Sequence, residues 1–364
     1  MGRRTPTIDA GLDRLREMAR GNYSLAWMES NPEGWGQMAV AGPAGIGLVD
    51  IEVDRYAEIP EHASPRGGVA LRGSHVPGKL PAPGYDLNER SRLWSNCAAK
   101  LYDEAVARQW NSVTDVPWDQ LQELPEDLEK ALCQMCTGIA EFELAAADAT
   151  ARWISRINGN FHEIKLFLAT QLADQARHMD VFRKRALANG GGLLETSPCQ
   201  HDLLLAGMRA SSYTTATALM QILCEGFSLS LFHAGEFLAP GEVEKTIFRL
   251  CMQDQARHVA HAVSHLQCFL EDHPEGIEEI HRALDAGEQA MFRLTLEPQT
   301  IEPRAILAGA GLAGIDLGLS RVALLYARQV REYLGRLGTA GLDRAGRITI
   351  PVELPVQPCG GHAR

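Results

Sequence analysis

Asp174-Gln-Ala-Arg-His178 returns as Asp254-Gln-Ala-Arg-His258, 80 residues further along the chain. Each copy sits in an apolar pattern of helical period. The first inward stripe reads Ile164, Leu168, Gln171, Gln175, His178 and Phe182; the second reads Phe248, Cys251, Gln255, His258, Ala262 and His265. Gln and His three residues apart lie on one helical face and point into the same interior. Each copy follows, at some distance, another helix with a Glu on its inward side. Two such helix pairs are the layout of a metal-centred four-helix bundle.

The helix before the first copy carries Leu128, Leu132, Met135, Ile139, Phe142 and Ala146 at alternating spacings of four and three, a buried stripe. Glu143 lies on its edge, whereas Glu141 points about 160° away and is expected beside the site or in solvent. A carboxylate on a buried stripe requires a cation or hydrogen bonds. Glu225 is the sole acid between Met208 and Gly235. It is expected to share a side with Gln221, Ser228, Leu229 and Phe232, and a lone buried acid is a functional candidate. His233 and Glu236 are placed at the rim; His261 and His265 lie a turn beyond the second motif.

Around this core the expected helices span 89–110, 126–156, 161–188, 208–238, 242–273, 276–295 and 317–337. Gly190-Gly-Gly192, Pro240 and Pro274 act as stops, 193–205 as a connector and Glu297–Pro303 as a break. The run from Pro60 to Tyr85 holds five Pro and five Gly and reads as a loop or arm. Residues 1–88 form an N-terminal extension, 89–340 the helical domain with its core at 126–273, and 341–364 an extended tail.

The chain has 364 residues, 45% hydrophobic and 22% charged, as expected of a soluble protein with a sizeable core. A net charge of −11 argues against a nucleic-acid surface. No apolar run is expected to reach the ~18–20 residues of a membrane span. The N-terminus lacks a leader pattern, and the scattered cysteines suit a cytoplasm. Cys133-Gln-Met-Cys136 lies within a helix and reads as core packing. No P-loop, nucleophile elbow or dinucleotide fingerprint is present.

These residues resemble the ferritin-like superfamily of non-haem di-iron carboxylate proteins, in its oxygenase and oxidase branches. The resemblance covers about residues 90–270, through Ala140-Glu-Phe-Glu143, Phe167 to His178, and the order Glu, (E/Q)xxH, Glu, (E/Q)xxH at spacings of 32, 50 and 30. It implies an all-α ferritin-like four-helix bundle with extra flanking helices and an N-terminal arm. It also implies metal ligation by Glu143, His178, Glu225 and His258. Asp174 and Asp254 would hydrogen-bond the ligand His of the opposite pair, and Arg177 and Arg257 would neutralise them.

The departure is Gln175 and Gln255, where the family carries Glu. Without that pair the interior offers two carboxylates, enough for one divalent ion, and two ions about 3.5–4 Å apart without bridging anions repel each other. One Fe, or a weakly held second, is therefore expected, with Mn or Zn also compatible with two His and two Glu. The leading reading is an O2-using oxidoreductase acting on a small organic molecule, Gln175 and Gln255 lining its site. A redox partner and a homodimer are compatible with it. The alternatives are a metal-poor scaffold that binds a ligand or partner, and a Zn-dependent or metal-free lyase or isomerase.

Overall fold

The computed structural model describes residues 7–29, 38–43, 45–52, 57, 59–65 and 84–356. Most of the Pro/Gly-rich run, the first six residues and the last eight lie outside them. Among the described residues there is no strand, only isolated bridges between loops.

Helices α1 (Ile8–Ala19) and α2 (Ala98–Ala107) precede the core. Helices α3 (Glu126–Ile154) and α4 (His162–Ala188) form the first pair, followed by α5 (Pro198–Met208). The second pair begins with α6 (Tyr213–Thr217), which runs through a π-helical segment (Ala218–Glu225) into α7 (Gly226–Leu238). Helix α8 (Glu242–Asp272) completes it. Helices α9 (Ile277–Leu296), α10 (Pro298–Ala308) and α11 (Ile315–Thr339) pack outside.

Several boundaries differ from the sequence expectation. The helix expected from 89 starts only at Ala98; before it lie a single 3-10 turn at Arg90–Arg92 and backbone paired with two loops, Arg90 N donating to Glu61 O at 2.9 Å and Asn158 N to Leu87 O at 3.0 Å. The expected connector at 193–205 contains the start of α5, which uses Pro198 at its first turn, where the missing N–H costs nothing. Pro298 does the same for α10, so the expected break at Glu297–Pro303 is a helix start. The helix expected from Met208 begins at Tyr213, where Ser212 and Thr215 form a capping box. Gly190, at φ +73°, ends α4 as anticipated.

The Tyr213–Leu238 rod is long and apolar enough to cross a membrane, contrary to the expectation that no run would be. Its most apolar window is 89% buried inside the protein. Such composition is what the central helix of a bundle requires.

Two apolar clusters bracket the bundle interior. One gathers Phe161, Phe167, Tyr213 and Phe227. The other stacks Phe182, Phe232 and Phe248, with Phe182 and Phe232 ring centres 5.6 Å apart. Each such buried ring contributes about 1.5–3 kcal/mol. Cys133 and Cys136 belong to the second cluster, and Cys133 donates to Ala186 O at 3.3 Å.

The described part of the tail is docked. Arg344, 1% exposed, donates to Glu288 at 2.8 Å and Asp285 at 2.7 Å, both on α9, while Tyr333 donates to the same Glu288 at 2.8 Å. Removing one partner of a buried ion pair leaves a bare charge, at about 3–5 kcal/mol. Arg344→Met is therefore expected to lower unfolding stability in urea by about that amount. A loss under about 1 kcal/mol would mean that Glu288 is satisfied without the tail.

Candidate metal centre

Glu143 (α3), Gln175 and His178 (α4), Glu225 (π segment), and Gln255 and His258 (α8) are all fully buried and meet in one interior. The contacts run across the sequence repeat. Gln175 Nε2 donates to Glu225 Oε1 at 2.8 Å, and Gln255 Nε2 donates to Glu143 Oε1 at 2.9 Å. His178 Nδ1 stands 3.4 Å from Glu143 Oε1; His258 Nδ1 stands 3.1 Å from Glu225 Oε2 and 3.1 Å from Gln255 Oε1.

Behind the imidazoles the repeat is crossed again. His178 Nε2 donates to Asp254 Oδ2 at 3.1 Å, and His258 Nε2 donates to Asp174 Oδ2 at 3.3 Å. A carboxylate only accepts, so each Nε2 carries a proton and each Nδ1 is turned inward to donate or to ligate. Arg177 and Arg257 each bind both aspartates; Arg177 reaches Asp254 at 3.2 Å and Arg257 reaches Asp174 at 3.1 Å. Two Asp-x-x-Arg units thus clamp each other across the bundle.

The π segment sets the position of Glu225. Its i→i+5 register turns fewer degrees per residue than an α-helix, and such segments recur at functional sites. It also breaks the expected grouping: Ser228 lines an interior cavity, whereas Leu229 faces a surface cleft beside Glu104 and Arg328.

Burial raises the Glu143 pKa, against the neighbouring His178. His258 is opposed by burial but held up to about 9 by Glu225 and Asp174. His178 is likewise raised, against burial, by Cys251, Glu143 and Asp254. Asp254 is lowered, against burial, by His178, Arg257 and Trp110.

The remaining candidates fall elsewhere. Glu141 is exposed. His233 lines the surface cleft and Glu236 is part-buried beyond it. His265 is fixed in the core, donating to Trp94 O at 3.0 Å and accepting from Thr214 Oγ1 at 3.0 Å. Burial lowers its pKa to about 4. His261 accepts from Tyr213 OH at 3.0 Å. Its Nδ1, with the unpaired oxygens of Gln171 and Gln221, borders a cavity of about 10 Å³ one turn from the centre, room for about one water.

Trp110 was not anticipated. Its indole N–H donates to Asp254 Oδ2 at 2.7 Å, making a continuous Trp110–Asp254–His178 line. Nothing in its sequence neighbourhood marks it, because the partner lies 144 residues away. Outside the bundle, Glu52, His162 and Glu163 bring ligand atoms within 4.8 Å of one another.

The fold has counterparts among solved structures. One is an R2-like ligand-binding oxidase, a point mutant with an aerobically reconstituted Mn/Fe cofactor (TM-score 0.52, 18% identity, 68% of this chain and 94% of that one). Another mutant, with an anaerobically reconstituted Mn/Fe cofactor, gives the same TM-score, identity and coverage. The fold is ferritin-like. No protein-family model and no curated protein matches the chain.

In this ferritin-like interior, Glu143 Oε2, Gln175 Oε1 and His178 Nδ1 are buried without a hydrogen-bond partner, which fits a metal ion among them. The His178 and His258 ring centres lie 6.3 Å apart. Metal binding must displace protons from imidazoles whose pKa is raised. Affinity for Fe2+ or Co2+ is therefore expected to increase with pH through neutrality toward about 9, with proton release. Calorimetry in buffers of different ionisation enthalpy measures this; binding without proton release would contradict it.

Proposed function

We propose that the chain is a metal-dependent oxidoreductase that uses O2 on a small organic molecule. It holds one divalent ion, Fe or Mn, through Glu143, His178, Glu225 and His258. The observation that carries this reading is the charge balance. Glu143, Glu225, Asp174 and Asp254 are buried, and Arg177 and Arg257 compensate two of the four. Two negative charges remain, to be matched by one divalent ion or by two imidazolium protons. The Mn/Fe cofactors of the R2-like structures agree with a redox metal in this fold.

Such an ion supplies O2 activation and one-electron chemistry; the protein supplies geometry. Asp174 and Asp254 keep Nδ1 of each His inward. Gln175 and Gln255 hold Glu225 and Glu143 in place as neutral donors. Phe182, Phe232 and Phe248 exclude water from one end. Trp110 steadies Asp254, and through it His178.

One observation favours a second reading, a metal-free binding protein: each Gln amide already satisfies an oxygen of its opposing Glu. Metal analysis of protein grown in iron-supplemented medium, followed by anaerobic Fe2+ titration and O2 exposure, separates the two. About one Fe per chain with an O2-dependent absorbance change is expected. No metal under any loading supports the second reading, and one tight Zn without O2 response supports non-redox chemistry. The double variant Gln175→Glu with Gln255→Glu adds two charges and is expected to take up a second iron.

A further inference from the structure

We propose that Arg304 is the anion-recognition residue of a cavity in the wall of this bundle, and that the cavity's ligand is a small organic carboxylate. Calling that ligand a substrate rests on the metal-centre reading; the binding of the anion does not.

Two cavities meet at Met135, Leu231 and Arg304, the side chains common to both walls. The outer one, about 250 Å³, is walled by aliphatic side chains and Phe248. The inner one, about 90 Å³, reaches Phe142 and Cys224, which immediately precede Glu143 and Glu225. The chamber thus borders the turns of α3 and the π segment that carry Glu143 and Glu225, while neither carboxylate lines it.

Arg304 is part-buried at this junction and has no hydrogen bond or ion pair among the described residues. The other arginines on the outer wall are occupied: Arg321 donates to Ala308 O and Arg328 to Glu332 at 2.6 Å. Desolvation lowers the Arg304 pKa to about 10, with nothing opposing it, so the group remains charged at neutral pH. A guanidinium kept in a cleft without a counter-ion is costly to the free protein. It recovers that cost by pairing with a planar anion, for which its fork of N–H donors is shaped.

Ser197 supports the same assignment independently. Its hydroxyl lines the inner chamber, and the residue is 3% exposed with no hydrogen-bond partner. Gln200, Thr295 and Gln329 on that wall are committed to backbone carbonyls. The chamber thus presents the Arg304 guanidinium and the buried Ser197 hydroxyl against Met135, Ile139 and Phe142. One guanidinium balances one charge, which favours a monoanionic carboxylate over a dianionic phosphate ester. Its volume suits a short acyl chain or a single ring.

The test is calorimetric titration of the full chain, metal-free and Fe-loaded, with benzoate and hexanoate against the isosteric benzamide and hexanamide. The carboxylates are expected to bind at least about tenfold more tightly than the amides in both states. Arg304→Met is expected to abolish that preference, and Arg304→Lys to keep part of it. Arg304→Met should melt no lower than the parent without ligand, because it removes an unpaired charge. Equal binding of acid and amide, a preference that survives Arg304→Met, no binding of either acid, or tighter binding of hexyl phosphate would each overturn the proposal. Arg304-dependent binding in a protein that takes up no iron would remove the oxidoreductase reading and leave this one. Iron uptake with O2 response but no acid preference would do the reverse.

Discussion

Two negative charges left over in a dry helical interior govern this structure. Four carboxylates and two guanidiniums converge there, and any net charge they leave must be cancelled because bare charge at such depth is too costly to persist. Imidazole protons and a divalent ion are the two available means, and His178 and His258 are placed to serve in either. Raised imidazole pKa values are the signature of the protonated state. Nδ1 atoms turned inward by Asp254 and Asp174 provide for the metal-bound state.

The duplicated motif explains how that interior is held. Four contacts join one repeat to the other: Gln175 to Glu225, Gln255 to Glu143, His178 to Asp254, His258 to Asp174. Neither helix pair builds half a site alone, so docking of the pairs and assembly of the centre are one event. The Gln175 and Gln255 amides bond the opposing Glu without adding charge to the interior. The aromatic clusters at either end seal the product of that assembly from water.

The helical period carried the bundle helices and the inward direction of Glu143, Gln175, His178, Gln255 and His258, because four- and three-residue spacings map directly onto one face. Other features depend on tertiary contacts. The late start of α2 arises from pairing of the preceding backbone with residues far away in sequence. Ser197-Pro198 and Glu297-Pro298 are helix starts, which Pro signals as readily as stops. The π register of Ala218–Glu225 is a matter of hydrogen bonding that residue types do not encode. Trp110 and Arg304 are recognisable only once their partner, or lack of one, is seen in space.

Anomalous X-ray diffraction at the metal edge, on crystals grown from the Fe- or Mn-loaded protein, tests the charge-balance account most directly. The account predicts a single peak bonded to His178 Nδ1 and His258 Nδ1 and to the Glu143 and Glu225 carboxylates. Two peaks of equal occupancy, or none with both imidazoles still bonded to Glu143 and Glu225, would contradict it.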